Sequence, residues 1–357
     1  MKEKLIFTAY QKEIERTSSK KIGLLCPYTV EELIDAAGFT PVRLIPHEPN
    51  MRYADAYLPG TLCSYLRYVV DLSIAGELKG FRGLVINHSC DGARRTLDIF
   101  NTYMPDISTF FVDTPKKIDP YAVSYFKKEL EKLKVYLQEI SGVEITDLAL
   151  AASIARYNEN RRLLQEMYDM RANNPGAMNA QELLRVLDLN STGPKQTTNK
   201  MLSDLLSARG PEKNGKRVFV SGNIFDTLPL LEYIEGCGGA VVGDDFCFGG
   251  RYFPVAVAEN EAPLDALARR YLSRVPCGRM INFSERIDYI IEAAQKTMSA
   301  GVIYTSLKFC DNFLVDFPLF RERLDRLDIP SLFLESEYFS LRSGQVRTRV
   351  EAFLERL

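Results

Sequence analysis

An α/β architecture, with two parallel-sheet halves joined by a helical segment, is predicted by three features of this 357-residue sequence. Short apolar runs alternate with longer amphipathic stretches at both ends of the chain, the signature of parallel βαβ units. The middle, from Tyr121 to about Arg209, is almost wholly helical in its periodicity. The length exceeds twice that of a ~150-residue domain, so two domains are expected.

The elements follow in order. A charged amphipathic helix over 2–16 opens the chain. KIGLL (21–25) reads as a strand, VEELIDAAG (30–38) as a helix ended by Gly38, and PVRLI (41–45) as the second strand. A helix over 63–80 precedes the strand GLVIN (83–87), the helix DGARRTLDIFNTY (91–103) and the strand ISTFFV (107–112). The helical middle breaks at the turn signals NNPG (173–176) and NSTGP (190–194). Strands then return at 217–222, 240–245, 302–307 and 331–336, separated by helical patterns and closed by a helix over 345–357. The expected division is an N-terminal helix (1–20), a first α/β domain (21–120), a helical connector (121–215) and a second α/β domain (216–357).

Composition narrows the function. Forty-five basic residues against 47 acidic ones give a net charge of -2, which argues against a nucleic-acid partner. No apolar run approaches the ~20 residues that span a bilayer, and the opening segment has no long apolar stretch or small-residue cleavage site. A cytoplasmic protein with no membrane partner is expected. With only His47 and His88 present, multi-histidine metal sites are disfavoured.

Seven cysteines remain, and a cytosolic chain of this size does not use them as a disulfide framework. Ligands of open parallel sheets bind beyond the carboxyl ends of the strands. Cys26, Cys90, Cys247 and Cys310 each follow a predicted strand, two in each half, and Cys63 opens a helix on the same edge. Cys277 ends a helix, which leaves its level open. Cys237, between a helix end and a strand start, belongs on the opposite edge and reads as structural. Thiolates select zinc, copper(I) and iron–sulfur clusters. No C-x₂₋₄-C pair suits a zinc finger or ribbon, and no ferredoxin run is present. Widely spaced thiols suit a large cofactor held between the halves; buried inert thiols are the alternative.

Seven strings occur in one order: LLCPYTVEELIDAAGFTPVRL (24–44), CSYLR (63–67), CDGARR (90–95), DDFCFGGRYF (244–253), RRYLSRVPCGRM (269–280), KFCDNFLVDFP (308–318) and SGQVRTRVEAFLE (343–355). Together they resemble the 2-hydroxyacyl-CoA dehydratase / benzoyl-CoA reductase superfamily, from about Gly23 to Leu354. The resemblance implies two flavodoxin-like domains with an iron–sulfur cluster in the cleft between them. In dehydratase subunits a [4Fe-4S] cluster is held by three cysteines that match Cys63, Cys90 and Cys310. A separate ATP-hydrolysing iron–sulfur activator protein then delivers low-potential electrons. Cysteines in DDFC and PCGR look more like the double-cubane cluster branch, whose [8Fe-9S] cofactor needs six thiolates. Excluding Cys237 leaves six: Cys26, Cys63, Cys90, Cys247, Cys277 and Cys310.

Other candidates carry two readings each. Arg94 or Arg95, behind Cys90, offers an anion contact or is a solvated arginine near a helix start that Asp91 complements. His88 is a proton donor or a satisfied strand-end side chain. Ser343 and Gln345, with Gly344 before the last helix, form a substrate-holding turn or an ordinary cap. Asp244 and Asp245 are an acid pair or a strand-end turn. Phe246, Phe248, Tyr252 and Phe253 are expected to shield the cluster.

The functional expectation is a low-potential reductase of a small-molecule substrate, working as a homodimer. One alternative is a subunit of an (R)-2-hydroxyacyl-CoA dehydratase, a lyase, in a heterodimer with one [4Fe-4S] cluster. A non-catalytic cluster carrier is the alternative of another class. The sequence has no G-x-x-x-x-G-K-[ST] phosphate loop, so the ATPase is expected to be a separate protein.

Overall fold

A computed structural model describes residues 2–18, 20–207, 215–223 and 227–357. Helix α1 (Lys2–Thr17) leads into β1 (Lys21–Leu24), α2 (Glu31–Ala36), β2 (Thr40–Arg43), α3 (Ser64–Ile74), β3 (Phe81–Asn87), α4 (Asp91–Tyr103) and β4 (Thr109–Val112). Four helices follow: α5 (Pro120–Ser141), α6 (Asp147–Asn173), α7 (Ala180–Thr192) and α8 (Lys195–Leu206). The second half runs β5 (Lys216–Gly222), α9 (Leu228–Gly236), β6 (Gly239–Asp244), α10 (Pro263–Ser273), α11 (Phe283–Lys296) and β7 (Gly301–Leu307). It closes with α12 (Asp311–Leu314), α13 (Phe317–Asp325), β8 (Ser331–Ser336) and α14 (Gly344–Arg356).

Two four-stranded parallel sheets result, with orders β2-β1-β3-β4 and β6-β5-β7-β8. Both have the flavodoxin-type start, in which the chain reverses its direction of travel across the sheet between the first and third strands. The strands are nearly continuous apolar runs because helices cover both faces. β7, for example, is buried at every residue.

Local chemistry sets the boundaries. Asp119, Thr146 and Asn179 cap α5, α6 and α7 through their side chains, and Glu182 completes a capping box with Asn179. The helix expected over 63–80 stops at Ile74, where Gly76 takes φ +82°. The expected break at 190–194 moves to Gly193 and Pro194. Asn190 faces Asn160 at 2.7 Å inside the packing, and Ser191 and Thr192 bond back to carbonyls one turn earlier. One helical pattern near 313–327 splits into α12 and α13, with a proline in the first turn of α13. Helix α8 ends at Leu206, and the rest of the helix expected to reach about Arg209 lies outside the described residues.

The halves share one interior. A single apolar cluster joins Leu25, Leu44, Leu66 and Ile86 of the first half to Val218, Val220, Leu307 and Tyr338 of the second. Helix α10, which follows β6 in sequence, packs instead with α2, α5 and α6. Ala266, Leu267 and Tyr271 share a core there with Leu33, Phe126 and Ile154. A buried charge network fixes this crossing. Glu32 on α2 pairs with Arg161 on α6 and accepts from Tyr271 Oη on α10 at 2.7 Å. Burial acts to raise the Glu32 carboxyl, but the guanidinium charges of Arg161 and Arg270 outweigh it and hold the group below its usual range.

Among the described residues, no helix is long and apolar enough to cross a membrane.

Candidate metal centre

The carboxyl edges of both sheets meet around a cavity of about 110 Å³, and six of the seven cysteines line it. Cys26 leaves β1, Cys90 follows β3, Cys247 follows β6 and Cys310 follows β7. Cys26 and Cys90 therefore flank the switch point of the first sheet, where open α/β folds place ligands. Cys63 and Cys90 are the residues immediately before α3 and α4. Cys277 reaches the same cavity from the loop after α10, and its backbone N–H donates to Tyr28 Oη at 3.4 Å. Cys237 closes α9 and is absent from the lining.

Close backbone approaches hold two of these loops. A Cβ on Gly278, next to Cys277, would lie 2.3 Å from the Asn312 carbonyl oxygen, beside Cys310. A Cβ on Gly250 would lie 1.8 Å from the Asp244 carbonyl, so the turn carrying Cys247 closes only with glycine there. Asp244 stabilises that turn by accepting from the Phe246 and Gly250 N–H groups at 3.0 and 2.8 Å. Asp245 accepts from Gly222 N–H at 2.8 Å and from Arg286 at 2.9 Å. Both aspartates thus brace loops and lie outside the cavity lining.

All seven cysteines are free thiols. Burial pushes the Cys63 thiol up to about 12, with nearby Cys90 adding to it and the Leu66 N–H opposing. Burial also raises Cys26, Cys90 and Cys310; the Arg43 and Arg279 charges oppose it at Cys26, and the Ala93 N–H at Cys90. That N–H donates to Cys90 Sγ at 3.4 Å. A metal bound by these thiols would have to displace their protons.

The lining has no Asp, Glu, Lys or His among the described residues. Nor do any three His, Cys, Asp or Glu groups there converge closely enough to hold one metal ion. Six thiols that surround a space without closing on one point fit a multinuclear, sulfide-bridged group better than a mononuclear zinc site. Tyr28, Tyr65, Leu66, Leu307 and Phe313 supply the apolar wall. The expected aromatic set lies elsewhere. Phe246 and Phe248 stack at 5.6 Å, Phe253 packs on Tyr168, and Phe248 and Tyr252 line a smaller chamber that meets the thiol cavity at Cys247 and Arg43.

Other sequence candidates fall outside the cavity. Arg94 is exposed on α4, and Arg95 pairs with Asp98 and Asp91 on the same helix. Ser343 caps α14 by accepting from the Val346 N–H at 3.3 Å, with exposed Gln345 beside it. His88 Nδ1 lies 2.9 Å from Asp113 Oδ1, and neither residue joins the lining. Sequence reasoning missed Arg43, Arg251 and Arg279, all buried in the cavity wall. A signal existed: Arg251 and Arg279 follow Cys247 and Cys277 within four residues, and Arg43 interrupts an otherwise apolar strand.

Comparison with known proteins adds a family. The 2-hydroxyglutaryl-CoA dehydratase D-component family matches residues 26–357. The beta subunit of (R)-phenyllactyl-CoA dehydratase from Clostridium sporogenes is 30% identical, over 97% of this chain and 94% of its own. One of the benzoyl-CoA reductase subunits of Thauera aromatica is 26% identical, over 97% and 92%. The beta subunit of (R)-2-hydroxyglutaryl-CoA dehydratase from Acidaminococcus fermentans is 25% identical, over 95% and 92%.

Proposed function

Because this chain belongs to the 2-hydroxyglutaryl-CoA dehydratase D-component family, we propose that it is an iron–sulfur oxidoreductase with a double-cubane [8Fe-9S] centre. One observation carries the proposal: six free thiols, and not the seventh, line one cavity between the sheets. Cys63, Cys90 and Cys310 would hold one half of the cofactor, and Cys26, Cys247 and Cys277 the other. When bound, such a cluster supplies single electrons at low potential.

The chain's own residues do the rest. The apolar wall of Tyr28, Tyr65, Leu307 and Phe313 excludes water, which tunes such a group. The Ala93 N–H donates to the Cys90 sulfur and orients it. Each ligating thiol must shed its proton on loading. The function is then activator-driven reduction of a small molecule by a homodimer, in the reducing cytoplasm where free thiols persist.

A second reading is a dehydratase subunit in a heterodimer, with one [4Fe-4S] cluster on Cys63, Cys90 and Cys310. Its support is the 30% identity to a phenyllactyl-CoA dehydratase beta subunit.

Anaerobic purification, iron and sulfide counting, and EPR test both. The double cubane requires about eight iron atoms per chain, against about four for the single cubane. Replacing Cys247 and Cys277 together by serine should remove half of the iron or all of it. Cys90→Ala should lose or degrade the cluster, while Cys237→Ala keeps full iron. Unchanged iron in the Cys247/Cys277 double variant would return the chain to the single-cubane reading.

A further inference from the structure

Three buried arginines line the thiol cavity, and no carboxylate among the described residues lines it with them. Arg43 donates from Nη2 to Cys247 Sγ at 3.7 Å, and its Nε has no partner. Arg251 gives Nη2 to the Gly222 carbonyl at 3.1 Å, while its Nη1 bonds to nothing. Asp245 Oδ2 stands 3.7 Å from that nitrogen and is already held by Arg286 at 2.9 Å. Arg279 gives Nη2 to the carbonyls of Thr114 and Pro115 at 2.7 and 3.1 Å, leaving Nε unpartnered. Arg43 and Arg279 thus meet no carboxylate in the cavity, and Arg251 shares Asp245 with Arg286; buried cations paired this thinly are costly to a fold. A wall made this way is complementary to an anionic occupant.

The three charges are placed unevenly. Arg43 touches the Cys247 sulfur, Arg251 and Arg279 sit in the loops of Cys247 and Cys277 four and two residues further on, and the Arg43 and Arg279 charges oppose burial at Cys26. Cys63 and Cys90 stand instead before α3 and α4. We propose that Arg43, Arg251 and Arg279 are positioning residues that balance the charge of the group held by Cys26, Cys247 and Cys277. Arg43, through the Cys247 sulfur, sets the reduction potential of that half.

The sign follows from electrostatics. An added electron makes an anionic group more negative, and a fixed cation beside it in a low-dielectric wall favours that state. Removing the cation therefore lowers the potential. This inference rests on the cluster reading above.

An EPR-monitored redox titration of the full chain, reconstituted anaerobically, tests it on the wild type, Arg43→Met and Arg43→Lys, with iron counted in each. Arg43→Met should carry wild-type iron and titrate at a more negative potential, with Arg43→Lys in between. Equal potentials at full loading overturn the assignment. Where Arg43→Met takes up less iron, the charge-keeping variant decides: iron regained in Arg43→Lys supports the role of the charge, and iron lost equally from a folded Arg43→Lys overturns it. A wild-type chain that binds no iron overturns the cluster reading, and this inference with it.

Discussion

Burial raises four of the six cavity thiols. Cys63, pushed up to about 12 by burial, stays protonated at neutral pH, and burial acts in the same direction on Cys26, Cys90 and Cys310. A raised thiol keeps its proton longer in the fold than in the unfolded chain. Its contribution to the empty protein is therefore complete below the unfolded value and lost as pH rises through the folded one. Metal loading runs the other way, because ligation releases the proton. Iron and sulfide uptake from a fixed supply should thus increase between about pH 7 and 9, with measurable proton release. A flat uptake profile over that range would contradict neutral thiols in the empty cavity.

Elements rather than single residues bring the six loops to one place. Helix α10 crosses from the second half to lie on α5, and the Glu32–Arg161–Tyr271 network ties it to α2 and α6. That crossing fixes the chain just before Cys277, while α2 lies just after Cys26. Glu32→Ala would leave the Arg161 guanidinium buried without its carboxylate, and breaking a buried pair from one side costs about 3–5 kcal/mol. Chemical denaturation should register that loss. A change below about 1 kcal/mol would mean that the network is ornamental to the α10 crossing.

At the scale of the whole molecule, two sheets of the same strand order present their carboxyl edges to one another across a shared apolar interior. The cavity is therefore walled by both halves, as the proposed electron-passing centre requires for the exclusion of water. In the proposed function, the ATP-coupled electron donor is another protein. The purified, loaded chain should hydrolyse no ATP, and low-potential turnover should require a separate activator ATPase. ATP hydrolysis by the chain alone would show that the energy-coupling machinery lies within it.

The sequence by itself determined the fold class and the cysteine edge. Apolar periodicity marked β1, β3 and β7 to within two residues, and the rule that ligands sit at strand carboxyl ends gathered Cys26, Cys90, Cys247 and Cys310 from positions far apart in the chain. These are local signals, carried by patterns within a few residues. Tertiary structure alone decided the rest. Cys277 reached the cavity because α10 docks on the first half, and nothing in VPCGR announces where its helix packs. The arginine wall left only a faint mark, Arg251 and Arg279 close behind cysteines and Arg43 inside an apolar strand, since a charged residue in a strand looks the same in sequence whether it meets water or a thiol. Arg94, beside a cavity cysteine in sequence, faces solvent, whereas Arg43 touches Cys247 from 204 positions away. Long-range packing, not spacing along the chain, chose between them.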